Sequence, residues 1–193
     1  MKKLAFVLIS LLLFVSVGQI QAQQANQETK KEVKKEVKKE VKKEKKAKRV
    51  ALRKLKGNIV SKISKASFYT DFGNIQNIVW VRSDYYDQAT FRKDRRDVTA
   101  YYDSDGSLVG TTSVMTFNDI PALVQKNILK AYKNAKPGKV IFYDDNEPNG
   151  TDMILYGIQF DDPDSYFVEL TQGNKTFIVN CDTHGNVEFF KQL

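Results

Sequence analysis

Two stretches of this chain carry the same strand, turn and strand, and that duplication constrains the fold more than any other feature. Val98-Thr99-Ala100-Tyr101-Tyr102 runs through Asp103-Ser104-Asp105-Gly106 into Ser107-Leu108-Val109, and Phe177-Ile178-Val179-Asn180-Cys181 runs through Asp182-Thr183-His184-Gly185 into Asn186-Val187-Glu188-Phe189. A glycine at the same place in two hairpin turns predicts a residue held at positive φ, which disfavours a Cβ. Laid over each other, residues 61–113 and 117–193 each open on a helical segment and then enter an apolar strand, 78–81 in the first and 140–143 in the second. Trp80 and Phe142 stand 62 positions apart, Asp103 and Asp182 79 apart, so an insertion of 17 residues around 145–162 separates the two registers.

The clearest helix falls between the halves. Asn118 or Asp119 is placed to cap it, and Pro121 suits its first turn. Ile120, Val124, Ile128 and Ala131 share one face, and Pro137-Gly138 is expected to close it. In the strands, Val98, Ala100 and Tyr102 alternate with Thr99 and Tyr101, and Phe177, Val179 and Cys181 match the first set. The expected fold is α+β: an antiparallel sheet from two tandem helix-plus-hairpin repeats, helices on one face, preceded by a basic arm that is either helical or disordered.

The N-terminus reads as an export signal. Lys2 and Lys3 precede 14 uncharged residues, Leu4 to Val17, a run shorter than the roughly 20 needed to span a bilayer. Gly18 breaks the run, and Ile20-Gln21-Ala22 fits a cleavage site before Gln23. The expected divisions are a signal peptide over 1–22, a Lys/Glu-rich arm over 23–56 and a domain over 57–193, with a periplasmic or secreted mature product. The formal charge of +8 is unevenly placed: residues 28–56 hold 15 Lys or Arg against 5 Glu, while residues 57–193 hold 14 against 18 Asp or Glu. The arm repeats Lys-Lys-Glu-Val, and its valines, Val33, Val37 and Val41, form a stripe one residue wide, too narrow to bury against much. A solvated spacer and an attachment to an anionic phospholipid or lipopolysaccharide surface both fit this composition. Nucleic acid fits poorly, because no aromatics interleave the charges and the chain leaves the cytoplasm. Val50, Leu52, Leu55 and Val60 are placed to lay the arm's end on the domain, with a break at Gly57.

Catalytic chemistry finds few footholds. Cys181 is the single cysteine, which rules out an internal disulfide. With His184, the single histidine, it makes a Cys-x-x-His pair, two ligands short of a structural zinc site. No Gly-x-Ser-x-Gly elbow and no glycine-rich phosphate loop occurs. Asp144, Asp145, Asp161, Asp162 and Asp164 make one region acidic, open to two readings, a solvated loop or a weak calcium site. No catalytic residue, cofactor or metal is assigned, and the chain is not expected to be an enzyme.

The strand ending near Trp80, the hairpin from Ala100 to Leu108, the helix start Asp119-Ile120-Pro121-Ala122-Leu123-Val124 and the closing turn from Asp182 to Val187 together resemble the PepSY-like, β-lactamase-inhibitor-like family of exported bacterial proteins, over about residues 60–193. The resemblance implies a small periplasmic protein without established enzymatic function. It also implies binding of another protein or peptide through a sheet face and its loops. The arm and the loop around 145–151 depart from the family pattern. Trp80, Phe91 and Phe177 are expected inside. Tyr86, Arg92, Tyr101, Phe167 and Ile178 fall on the opposite parity and are the candidate partner-binding residues, since exposed Tyr and Arg dominate interfaces. A covering layer over that face would explain them equally well. The alternative function is an envelope structural protein tethered by its arm.

Overall fold

A computed structural model of the chain describes residues 52–146, 148–160 and 163–193, all belonging to one compact unit. The export signal, the arm up to residue 51, and Asp161 and Asp162 lie outside the described residues.

The first helix, α1 (Lys62–Phe72), starts where the Ser61 hydroxyl accepts the Ile63 N–H, and stops at Gly73, whose φ of 76° no helix continues. Four strands follow: β1 (Val79–Arg82), β2 (Asp87–Lys93), β3 (Arg96–Tyr102) and β4 (Leu108–Met115). A 3₁₀ turn (Phe117–Asp119) leads to α2 (Ala122–Ala131), then β5 (Lys136–Asp145), β6 (Met153–Leu155), β7 (Ile158–Phe160), β8 (Ser165–Gln172), β9 (Lys175–Asp182) and β10 (Val187–Gln192). Eight strands form one antiparallel sheet in the order β1-β2-β3-β4-β5-β8-β9-β10, and β6 and β7 pair separately as a hairpin. The protein is therefore an α+β domain, mostly antiparallel sheet with two helices.

Alternation in the strands decides which side each residue meets. Ala89, Phe91, Ala100 and Tyr102 pack beneath α1 with Phe68, Phe72 and Trp80. Val168, Leu170, Phe177, Val179 and Cys181 pack beneath α2 with Val124 and Ile128. Both helices thus cover the face expected from the alternation. The two glycine turns also form as expected: Gly106 has φ 75° and Gly185 φ 88°. In each, one carboxylate closes the loop, Asp103 Oδ1 accepting the N–H of Asp105 and Ser107, and Asp182 Oδ1 accepting those of His184 and Asn186. Each glycine is also pressed on a helix. A Cβ on Gly106 would sit 2.6 Å from Ile63 Cγ2, and one on Gly185 2.8 Å from Asn127 Nδ2.

Two boundaries differ from expectation. Asp119 does not cap α2; its carboxylate accepts the N–H and hydroxyl of Thr116 (2.8 and 2.7 Å) and fastens the 3₁₀ turn, leaving Pro121 as the cap residue. The helix ends at Ala131, before Pro137-Gly138. The left-handed residue there is Asn134 (φ 64°), and Pro137 lies in β5 at a break in register.

The insertion around 145–162 holds a hairpin of its own. Tyr156 and Gly157 both take positive φ (52° and 76°) and form the turn between β6 and β7. This hairpin lies on the sheet face opposite the helices. Met153, Leu155 and Phe160 pack there against Tyr143, Phe167, Ile178 and Phe190, and Leu52 joins the same cluster. The hairpin is held by the Tyr86 hydroxyl donating to the Asp152 carbonyl (2.7 Å) and by Lys191 donating to the Tyr156 carbonyl.

Candidate functional site

The hairpin divides the face opposite the helices into a covered half and an open half. Tyr86 (3% exposed), Phe167 and Ile178 (both 0%) lie in the covered half. Phe167 stacks edge-on against Phe160 and Phe190, each 4.9 Å away. Tyr101 is half-buried, its ring edge-on to Tyr86 at 5.8 Å and its hydroxyl 3.1 Å from that of Thr112. Burial raises the pKa of that hydroxyl, and the Thr112 bond only partly offsets it. Arg92 alone of the five residues is exposed, bonded to Asp97 (3.3 Å) and to the Arg95 carbonyl (3.0 Å). Of the two readings of these residues, an open partner face and a covered one, burial favours the covered one for Tyr86, Phe167 and Ile178. Their parity is as expected, but the inserted hairpin supplies the missing layer.

The open half belongs to β1–β4. Val79 (62% exposed), Val81 (53%) and Val114 (42%) lie there beside Thr90, Thr99 and Arg92. Register puts Val79, Thr90, Thr99 and Thr112 in one row across four strands, with the Thr90 and Thr99 hydroxyls 3.0 Å apart. Among the described residues, then, the patch presents the methyl groups of three exposed valines flanked by hydroxyls and one guanidinium. Near Val114 the face runs into a shallow cleft of about 370 Å³ lined by Asp94, Arg95, Arg96, Met115, Thr116 and Asp119. Asp94 and Arg95 form its rim at φ 50° and 65°, an uncommon conformation for residues with a Cβ. The bonds from Thr116, and then the Arg96 charge, hold the Asp119 carboxyl below its usual range against slight burial.

The cleft and the valine patch escape the sequence reading, although the alternation of Val79-Trp80-Val81-Arg82 contains the signal: with Trp80 inward, both valines must point away from the helices. The loop around 145–151, which departs from the family pattern, is committed to structure. Asn149 donates to Asp103 Oδ2 and the Leu108 carbonyl (2.9 and 3.0 Å), and Thr151 donates to Asp103 as well (3.3 Å), so the loop buttresses the first glycine turn.

A second ordered polar feature fastens β1 and β2 to the start of α1. Asp87 is fully buried and accepts four bonds, from Arg82 Nε (2.7 Å) and Nη2 (2.8 Å), the Ser61 N–H (2.9 Å) and the Ser64 hydroxyl (2.8 Å). Burial alone would raise its pKa; the Arg82 bonds, the two serine bonds and the Arg82 charge outweigh that and hold it low. This cluster ties β1 and β2 to the start of the first helix and serves structure. Cys181 is buried, and burial, then the neighbouring Asp182, pushes its thiol up to about 12, far from a nucleophile's range. His184 is exposed in its turn. Among the described residues no group of three or more His, Cys, Asp or Glu could hold a metal, and no helix is long and apolar enough to cross a membrane.

A helix-backed antiparallel sheet of this kind is the BLIP-like fold. The chain is similar to a BLIP-like protein from Bacteroides fragilis, with a TM-score of 0.56 and 18% identity over 70% of this chain and 87% of that one. It is similar too to a DUF2874 family protein from Bacteroides uniformis (TM-score 0.58, 12% identity, 69% and 90% covered). A third is a presumed periplasmic protein from Bacteroides eggerthii (TM-score 0.55, 13% identity, 70% and 88% covered). At these identities the likeness concerns the fold. No family model and no curated protein matches the chain.

Proposed function

We propose that this chain is an exported, non-enzymatic binding module that engages a protein or peptide through the open half of its sheet. The observation that carries this reading is the asymmetry of one face: Tyr86 and the rings of β5, β8 and β10 are covered by the protein's own hairpin, while Val79, Val81 and Val114 stay exposed on β1 and β4. Apolar groups left uncovered beside hydroxyls and an arginine suit a partner surface. The BLIP-like fold and the periplasmic neighbour lend support to an extracytoplasmic binding role, as does the export signal. The paired glycine turns, each seated on the helix of its own half, support descent of the two halves from one duplicated unit. The PepSY part of the resemblance rests on the sequence motifs alone. A second reading, tethering to an anionic surface, is favoured by the charge asymmetry between the arm and the domain.

The test is site-specific photocrosslinking in periplasmic extract, with a benzophenone residue at Thr99 or Val114 and, as control, at Gly173 on the far β8–β9 turn. The expected result is an adduct of one mass from the first two positions, unchanged at high salt, and none from the third. Equal yields at all three positions, or recovery with anionic lipid that salt abolishes, would exclude the open-face reading.

A further inference from the structure

We propose that β1 is an acceptor strand, and that the partner of the open face supplies an extended acidic segment that pairs with β1 as the next strand of the sheet. This rests on the binding reading above and specifies how it is carried out.

The sheet has two edges, and they are built differently. β10 carries a break in register between Phe189 and Lys191, charges at Glu188 and Lys191, and the Gln192 amide folded back on the Thr176 carbonyl. These are devices that stop an edge from recruiting another strand. β1 has no break in register and only one charge. Among the described residues it pairs with β2 alone, in unbroken register from Val79 opposite Thr90 to Arg82 opposite Asp87. Its single charge, Arg82, is turned away to Asp87 and the Lys56 carbonyl.

The ladder fixes which groups look outward. The Ser83 N–H donates to the Tyr86 carbonyl (2.9 Å), so that pair is a bonded one. Alternation then aims the N–H and C=O of Val79 and Val81 at β2, and those of Trp80 and Arg82 at the open side. Only an extended backbone satisfies donors and acceptors in that spacing.

Side chains state the partner's chemistry. On one face the new strand would lie beside Val79 and Val81, which are more than half exposed and suit β-branched apolar residues. On the other it would lie beside Trp80, over whose ring the Lys65 ammonium stands 6.0 Å from the centroid. Lys65 is exposed and is bonded to no carboxylate among the described residues, so that face suits Asp or Glu. A second copy of this chain fits less well, because it would bring a second Lys65 and a second Arg82 to the same seam.

Trp80 is the only tryptophan of the chain and so reports on this edge directly. The probe is the synthetic peptide acetyl-Thr-Val-Glu-Val-Glu-Val-Thr-amide, titrated into the full mature chain and followed by Trp80 emission and by residue-resolved amide exchange. The expected result is saturable binding with slowed exchange at the Trp80 and Arg82 amides. Methylating the peptide nitrogens that face β1 should weaken binding by about tenfold or more, since main-chain bonds supply the affinity in this mode. Lys65→Glu should weaken it about three- to tenfold, and more at low salt than at high. Binding that shifts Thr99 and Val114 but leaves the Trp80 and Arg82 amides unprotected would overturn the strand proposal while leaving the open-face reading intact. Absence of binding would also overturn the strand proposal, and the crosslinking experiment would then judge the open face separately. Protection of the same amides without peptide, rising with protein concentration, would assign the edge to a second copy and equally overturn it.

Discussion

Replacing Phe167 by Ala asks whether the hairpin truly converts half of the sheet face into core. Phe167 is fully buried, and it loses ring contacts at 4.9 Å to both Phe160 and Phe190 on truncation. A buried Phe→Ala costs roughly 3–5 kcal/mol through lost transfer energy and the cavity left behind. Val81→Ala, on the same sheet face but 53% exposed, removes two carbon groups of which about half the area is already wet. At about 0.8 kcal/mol per buried methylene, its cost should be about 1 kcal/mol or less. For a domain of this size the first change should lower the thermal midpoint by about 10–20 °C and the second by no more than about 5 °C. Urea unfolding followed by circular dichroism measures both, with an unchanged slope confirming that the folded state is the same. A Phe167→Ala cost under about 1.5 kcal/mol, or one no larger than that of Val81→Ala, would show that the hairpin does not seal the face.

Two further outcomes test the anchors of the fold. Asp87 is held below its unfolded value near pH 4, so its stabilisation is complete above that value and is lost as pH falls through the lower folded one. Asp87→Asn should therefore cost about 3 kcal/mol at pH 7 and flatten the acid limb of a urea-unfolding pH series; an unaltered acid limb would contradict the arrangement. Gly57 and Gly106 have nearly equal φ (74° and 75°), but a Cβ meets nothing at Gly57 and lies 2.6 Å from Ile63 at Gly106. Both Ala variants should pay about 1–2 kcal/mol for the left-handed conformation. Only Gly106→Ala should cost appreciably more, by about 1–3 kcal/mol of overpacking, read by the same unfolding assay.

Period-two alternation was enough to assign the helix-side core: Phe91, Ala100, Tyr102, Phe177, Val179 and Cys181 all lie where their parity puts them. Both turn glycines were legible for the same local reason, since positive φ is a property of one residue. Where α2 ends was not legible. Pro137 is a strong stop signal, yet a proline can also sit in a strand at a break in register, and the helix had already ended at Ala131. The cover over Tyr86, Phe167 and Ile178 was hidden differently. Residues 153–160 are too few to announce a hairpin among acidic neighbours, and their hydrogen-bond partner Tyr86 lies 66 positions before Asp152.

By itself, then, the sequence determined the strand faces, the glycine turns and the α+β class, because each depends on residue type and short-range spacing. Only the tertiary structure decided which of the two sides of a given strand stays wet. That depends on a hairpin reaching across the sheet to cover Tyr86, Val109, Tyr143, Phe167 and Ile178 at once, a contact between segments far apart in the chain. Parity says that Phe167 and Val81 share a face; the hairpin makes one of them core and leaves the other at the surface.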